Sequence, residues 1–125
     1  MKSLIVDAAK DKIFLKIITK DQSYTNEYSN SRENFHKFSY LIFDFLEKND
    51  VMLSQITNIF VNYGPGNYTS IRSSLAICKA MCLANNIDLY GFNNTQLKNN
   101  NYNKILDLFQ KGVLIKGMIK PIYKN

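Results

Sequence analysis

The sequence predicts an α/β fold on one mixed five-stranded sheet: an antiparallel meander of three strands, then helix, strand, helix, strand. Three observations carry the prediction. The stretch Ile56 to Asn93 reads as strand, tight loop, helix, strand, the pattern of a right-handed parallel crossover. The chain up to Tyr28 alternates apolar and polar residues around short turns, as half-buried antiparallel strands do. Between these two stretches lies an apolar stripe at helical spacing.

Taken in order, Lys2 to Asp7 is the first strand, with Leu4 and Val6 on one face. Lys10-Asp11 turns the chain into a second strand, Ile13 to Thr19. A further turn at Lys20-Asp21 leads to a more polar third strand, Ser23 to Tyr28. Ser31 caps a helix from Glu33 to Lys48, whose stripe is Phe35, Phe38, Leu41, Ile42, Phe45 and Leu46. Thr57 to Asn62 is β-branched and aromatic and stops at Gly64-Pro65-Gly66. Asn67 or Thr69 caps the next helix, which runs to about Ala84. Asn85-Asn86 stops it, because asparagine tolerates the left-handed C-terminal cap. Ile87 to Phe92 is the last strand, and a helix of about Tyr102 to Gln110 follows an asparagine-rich run.

Both longer helices carry more apolar surface than one sheet requires. On the second, Arg72 and Lys79 are the only charges and share a narrow strip. Ile71, Leu75, Cys78, Met81 and Cys82 cover one side; Ser73, Ala76, Ala80 and Ala84, with Ile77 at the edge, form another of small residues. A helix that is apolar nearly all round is buried on more than one side. Either the chain's own elements or a partner subunit supply the second cover. On the first helix, Tyr40 and Phe43 interrupt the polar side; aromatics there mark either an interface or single exposed apolar residues.

Composition bounds the function. A chain of 125 residues with 46% apolar residues builds one modest core, and a run of eighteen apolar residues is absent, which argues against a membrane span. The start, MKSLIVDAAK, is too short and polar for a secretory signal, so the expected compartment is the cytoplasm. Cys78 and Cys82 sit four apart on a helix and read as reduced packing residues, without metal-ligand spacing. The net charge of +6 comes from scattered lysines, with arginine only at positions 32 and 72; readers of nucleic acid cluster arginine. A weak, salt-sensitive, non-specific attraction to nucleic acid is the most that such lysines imply. His36 has no acid partner by spacing, and Asp44 lies on a polar helix face away from Asp7, so no catalytic constellation is expected. Gly64-Pro65-Gly66 reads as a tight turn, or as an anion cradle at a helix start.

At this loop the residues resemble a known family. Gly64-Pro65-Gly66-Asn67-Tyr68-Thr69-Ser70-Ile71-Arg72 is similar to the GPGSFTGLR signature of the TsaB (YeaZ) family. Lys79-Ala80 and Ile87-Asp88-Leu89-Tyr90-Gly91 resemble its AKGLA and IPLVGV continuation, and Leu4 to Ala9 its LAIDTS opening. The resemblance covers about residues 2 to 95. It implies a ribonuclease-H-like half-domain of the actin and Hsp70 ATPase superfamily, of which TsaB carries two in succession. Here residues 1–95 are expected to form the first and residues 96–125 a short tail with one helix; Pro121-Ile122-Tyr123 resembles the P-x-Y close of full-length members. Ser70 stands where the family has glycine.

The resemblance also implies a role. TsaB has no transfer chemistry of its own. It pairs with TsaD, the metal- and nucleotide-binding relative that makes threonylcarbamoyladenosine at position 37 of tRNA, and an ATPase, TsaE, joins the pair. The expectation is therefore a non-catalytic scaffold that contacts tRNA only indirectly and forms a homodimer when alone. Its partner-facing surface is drawn from Phe35, Phe38, Tyr40, Phe43, Ser73, Ile77 and Ala80. The signature loop is Gly64, Pro65, Gly66, Thr69 and Arg72. In nucleotide-binding relatives an aspartate and hydroxyls after the first strand handle metal and phosphate. Asp7 is in place here, but Ala8 and Ala9 replace the hydroxyls, so no cofactor or metal is expected. The rival readings are a small anion- or nucleotide-binding enzyme of the same superfamily and a self-associating homodimeric remnant.

Overall fold

The computed structural model describes residues 1–97, 99 and 101–123. Three strands open the chain, β1 (Ser3–Asp7), β2 (Lys12–Ile18) and β3 (Ser23–Ser29), each antiparallel to its predecessor. Helices α1 (Arg32–His36) and α2 (Phe38–Lys48) follow. Strand β4 (Asn58–Asn62), helix α3 (Tyr68–Asn85) and strand β5 (Asp88–Phe92) form the crossover, with β4 parallel to both β1 and β5. Helix α4 (Lys104–Gln110) and a short strand β6 (Ile115–Lys116) close the chain. The order across the sheet is β3-β2-β1-β4-β5-β6.

The sheet has six strands rather than five. Ile115 and Gly91 pair, as do Lys116 and Tyr90, so β6 lies antiparallel on the edge of β5. A two-residue strand leaves no periodicity to detect, which is why the sequence does not announce it.

The pleat sends alternate residues of the buried strands to opposite faces. Leu4, Val6, Ile59, Val61 and Leu89 meet the inner sides of α2 and α3 in the larger core. Ile5, Phe60 and Phe92 point the other way, against Leu97, Ile105 and Leu114 of the C-terminal segment. Phe109 of α4 packs edge-on against Phe60 and Tyr90, at 5.5 and 4.9 Å between ring centres. The residues after Phe92 thus cover the second face of the sheet. β1 and β4 are buried throughout as a result.

The helix expected from Glu33 to Lys48 is broken at Lys37, which adopts φ −121° and ψ 30°. Two anchors compete there. Ser31 caps α1 by accepting from the Asn34 N–H at 3.3 Å, and the Asn34 amide donates to the Ser29 carbonyl at 2.7 Å, which holds α1 on the end of β3. The later turns are oriented instead by Leu41, Ile42, Phe45 and Leu46 in the core. Within α2, Phe38 shares the inward stripe of Leu41, Ile42 and Phe45 and is 1% exposed.

Helix α3 starts and stops as its residues require. The Asn67 side chain accepts the Ser70 N–H at 3.1 Å, and Asn86 takes the left-handed conformation, φ 55° and ψ 46°.

Candidate functional site

The parallel strands β1, β4 and β5 end together, and the loops after them build the most polar part of the molecule. Asp7, the last residue of β1, is 1% exposed. A buried carboxylate needs partners to stay charged, and Asp7 has four. Its Oδ1 accepts the Ala9 N–H at 3.1 Å and the Asn62 side-chain amide at 3.0 Å. Its Oδ2 accepts the Tyr102 hydroxyl at 2.7 Å and lies 3.5 Å from the Lys10 ammonium. Tyr102 belongs to the C-terminal segment and stacks on Phe14 of β2, with ring centres 4.2 Å apart. Burial, then the Asp7 charge and the hydrogen bond to it, hold the Tyr102 phenol above its ordinary range.

Asn62, at the end of β4, ties this centre to the glycine loop. Its amide also donates to Asn94 at 2.7 Å, and its carbonyl oxygen accepts the Gly64 N–H at 2.8 Å. Asn94 donates onward to the Pro65 carbonyl at 2.6 Å. The loop leaves no space for side chains: a Cβ on Gly64 would lie 2.1 Å from the Ile122 carbonyl oxygen, and one on Gly66 2.3 Å from that of Ala9. Gly64 is at φ +118°, a conformation that glycine alone adopts freely. The chain's own C-terminal segment lies along the loop, with the Ile122 N–H donating to the Tyr63 carbonyl at 2.8 Å. The geometry is that of the tight turn.

Above the loop an open cleft of about 830 Å³ is lined by Ala9, Lys10, Asp11, Asn30, Pro65, Gly66, Asn67, Tyr68 and Asn94. Of its charged lining residues, Lys10 is already tied to Asp7. Thr69 is exposed beside it. Arg72 is also exposed; it donates to the Tyr68 hydroxyl at 2.8 Å and lies over that ring. Tyr68 in turn packs on Tyr123, ring centres 4.4 Å apart.

The expected partner-facing residues divide. Tyr40 and Phe43 on α2 are 56% and 48% exposed. Ala80 on α3 is exposed, while Ser73, Ile77 and Phe35 are half-buried. Phe38 does not belong with them: it lies on the inward stripe of α2 with Leu41, Ile42 and Phe45, in the core beneath the helices. Leu83, 89% exposed on α3, lines a depression with Lys79, Asn86 and Gly117 on the β6 side of the helix and is missing from the sequence-based set. One flank of α3 is covered by the chain itself, where the Lys79 ammonium donates to the Ile119 carbonyl at 3.1 Å.

Two further residues escaped the sequence. Asn62 and Tyr102 hold Asp7, yet a strand-ending asparagine and a tyrosine near a short helix carry no local pattern that links them to a residue on β1. Among the described residues no group of three or more histidine, cysteine or acidic side chains is placed to hold a metal ion. Asp44 pairs with Lys48 at 2.9 Å on α2, apart from Asp7, and its bond raises the lysine's pKa. Cys78 and Cys82 are free and buried; desolvation pushes the Cys82 thiol up to about 11, and Cys78 upward as well. No described helix is long and apolar enough to cross a membrane.

Comparisons with known proteins agree with this architecture. The sequence model of TsaD, tRNA N6-adenosine threonylcarbamoyltransferase, matches residues 18–103. YeaZ from Pseudomonas aeruginosa superposes with a TM-score of 0.71 at 14% identity, over 89% of this chain and 49% of that one. A second structure, described as an uncharacterized protein with similarity to peptidase YeaZ from Pseudomonas aeruginosa, gives 0.71 at 16% identity, over 77% and 44%. The chain thus spans about half the length of the YeaZ structures it matches. RuvC from T. thermophilus, in complex with a Holliday junction substrate, gives 0.56 at 12% identity, over 97% and 83%. No curated protein matches significantly. With more than half of its length matched by one family model and its fold shared with YeaZ, the TsaB protein, this chain belongs to the TsaD family, that of tRNA N6-adenosine threonylcarbamoyltransferase.

Proposed function

We propose that this chain is a non-catalytic, TsaB-like scaffold that binds and stabilises a TsaD-like transferase in the formation of threonylcarbamoyladenosine on tRNA. Residues 1–95 act as its ribonuclease-H-like domain and residues 96–125 as the tail that completes it. The observation that carries this reading is the exposure of apolar side chains on the two helices, Tyr40 and Phe43 on α2 and Ala80 on α3. Large apolar side chains grouped on adjacent helices mark a protein interface. Phe35, Ser73 and Ile77 form its half-buried margin.

The saturation of Asp7 supports the absence of chemistry in this chain. The carboxylate that would meet metal or phosphate in a nucleotide-binding relative is engaged by Ala9, Asn62, Tyr102 and Lys10. A TsaE-like ATPase joins through the assembled pair, and tRNA is met through the partner. The cleft beside the signature loop favours one alternative, an anion- or nucleotide-binding enzyme. The exposed helix surface itself favours another, a helix-mediated homodimer.

Co-expression with a TsaD from the same organism, followed by size-exclusion chromatography with light scattering, tests the proposal. The expected result is a one-to-one complex that Phe43→Lys abolishes. Two folded proteins eluting separately would overturn it. Saturable ATP binding that depends on Asp7 would move the reading to the enzyme.

A further inference from the structure

The C-terminal end of α2 and the single turn after it, Leu53–Gln55, enclose an apolar groove of about 450 Å³. Leu46 and Val51 are its buried lining, and Phe43 and Met52 are 48% and 66% exposed beside them. Two exposed carboxylates complete the rim, Glu47 and Asp50. Neither side chain has a hydrogen-bond or ion-pair partner among the described residues, and the neighbouring Lys48 turns away to Asp44 at 2.9 Å. These carboxylates do not serve the fold. The last turn of a helix is the negative end of its dipole, where acidic side chains are unfavourable. Asp50 also adopts the left-handed conformation, φ 55°, at a position that suits glycine or asparagine. Its backbone N–H closes the helix on the Glu47 carbonyl at 3.1 Å, a bond that needs no carboxylate. The chain as a whole carries a charge of +6, so the negative rim is a local feature of this groove.

We propose that this groove takes a short segment of a protein partner that presents an apolar side chain flanked by lysine or arginine. Charge complementarity selects this occupant. The apolar side chain would cover Leu46 and Val51 and withdraw Phe43 and Met52 from water. The flanking cation supplies the counter-charge that Glu47 and Asp50 lack within the chain, and it meets the negative end of α2 as well. Lysine and arginine suit the position because their long stems lie along apolar surface while the charged head reaches the rim. An uncharged segment would desolvate the two carboxylates without a partner, and an acidic one would be repelled. A second copy seated on the same groove would bring its own carboxylates against these. Phe43 also belongs to the helix surface proposed for the transferase, but Glu47, Asp50, Met52 and Leu53 do not, so the groove does not depend on that reading.

The test is a fluorescence-anisotropy titration of the full chain into a fluorescein-labelled peptide of leucine and lysine at helical spacing. Binding should saturate and should weaken as salt rises. The same peptide with serine for leucine, or with glutamate for lysine, should not bind, because each keeps only half of the match. Glu47→Gln/Asp50→Asn should weaken binding at least tenfold, and Met52→Ser, which removes apolar lining, should weaken it as well. Glu27→Gln, at an exposed carboxylate on β3, should leave it unchanged. The double variant should melt at the wild-type temperature or above it, since it removes charge from the negative end of α2. A titration without saturation, equal binding of the serine peptide, binding indifferent to the double variant, or a lowered melting temperature in that variant would overturn the proposal.

Discussion

The hydroxyl of Tyr102 donates to the carboxylate of Asp7 at 2.7 Å, across 95 positions of sequence. This bond joins the C-terminal segment to the end of the first strand. Tyr102→Phe keeps the stacking on Phe14 and removes only the donor. A hydrogen bond to a charged group contributes about 1.5–3 kcal/mol. Urea unfolding of the variant should show a loss in that range; an unchanged midpoint would show that the C-terminal segment is held by its apolar contacts alone.

The glycine loop separates steric from conformational cost. Gly64→Ala meets a backbone carbonyl at 2.1 Å in a left-handed conformation, and Gly66→Ala meets one at 2.3 Å. Each should destabilise by about 3 kcal/mol or more, because backbone on both sides must move. Gly112 also has positive φ, but nothing lies within 4 Å of its missing Cβ. Gly112→Ala should therefore cost only about 1 kcal/mol. Thermal melts of the three variants give the comparison.

On the helices, two aromatics only five residues apart should behave in opposite ways. Phe38→Ala empties a core position and should cost about 3–5 kcal/mol in chemical unfolding. Phe43→Lys changes a half-exposed side chain and should shift stability by less than about 1 kcal/mol. A stability loss in Phe43→Lys as large as in Phe38→Ala would mean that the outer side of α2 is part of the fold rather than a surface.

Alkaline pH should unfold the protein early. Burial raises the pKa of Cys82 to about 11 in the folded chain, against an ordinary 9.0, and raises Cys78 and Tyr102 as well. The unfolded chain therefore releases these protons first, and stability falls as pH rises above 9, by up to about 1.4 kcal/mol per pH unit for each group. Below pH 8 these groups are protonated in both states and contribute no slope. Melting temperatures from pH 7 to 10.5 should be level and then drop; Cys78→Ala/Cys82→Ala should flatten the drop.

What the sequence determined by itself was local or periodic. Strand alternation from Ser3 to Tyr28, the asparagine cap and stop of α3, and the strand-loop-helix-strand around Gly64-Pro65-Gly66 depend on a residue and its near neighbours, so their pattern is readable in the chain. The family signature sits in the same stretch. What only the tertiary structure decided depends on distance. That the helix expected from Glu33 to Lys48 breaks at Lys37 follows from an anchor on β3 that competes with the core. The burial of β1 and β4 on both faces depends on a C-terminal segment whose own signal is weak. The partners of Asp7 come from Asn62 and Tyr102, which no spacing links to β1. These were settled by closure of the sheet, because a buried carboxylate and an uncovered apolar face take whatever partners the folded chain brings within reach.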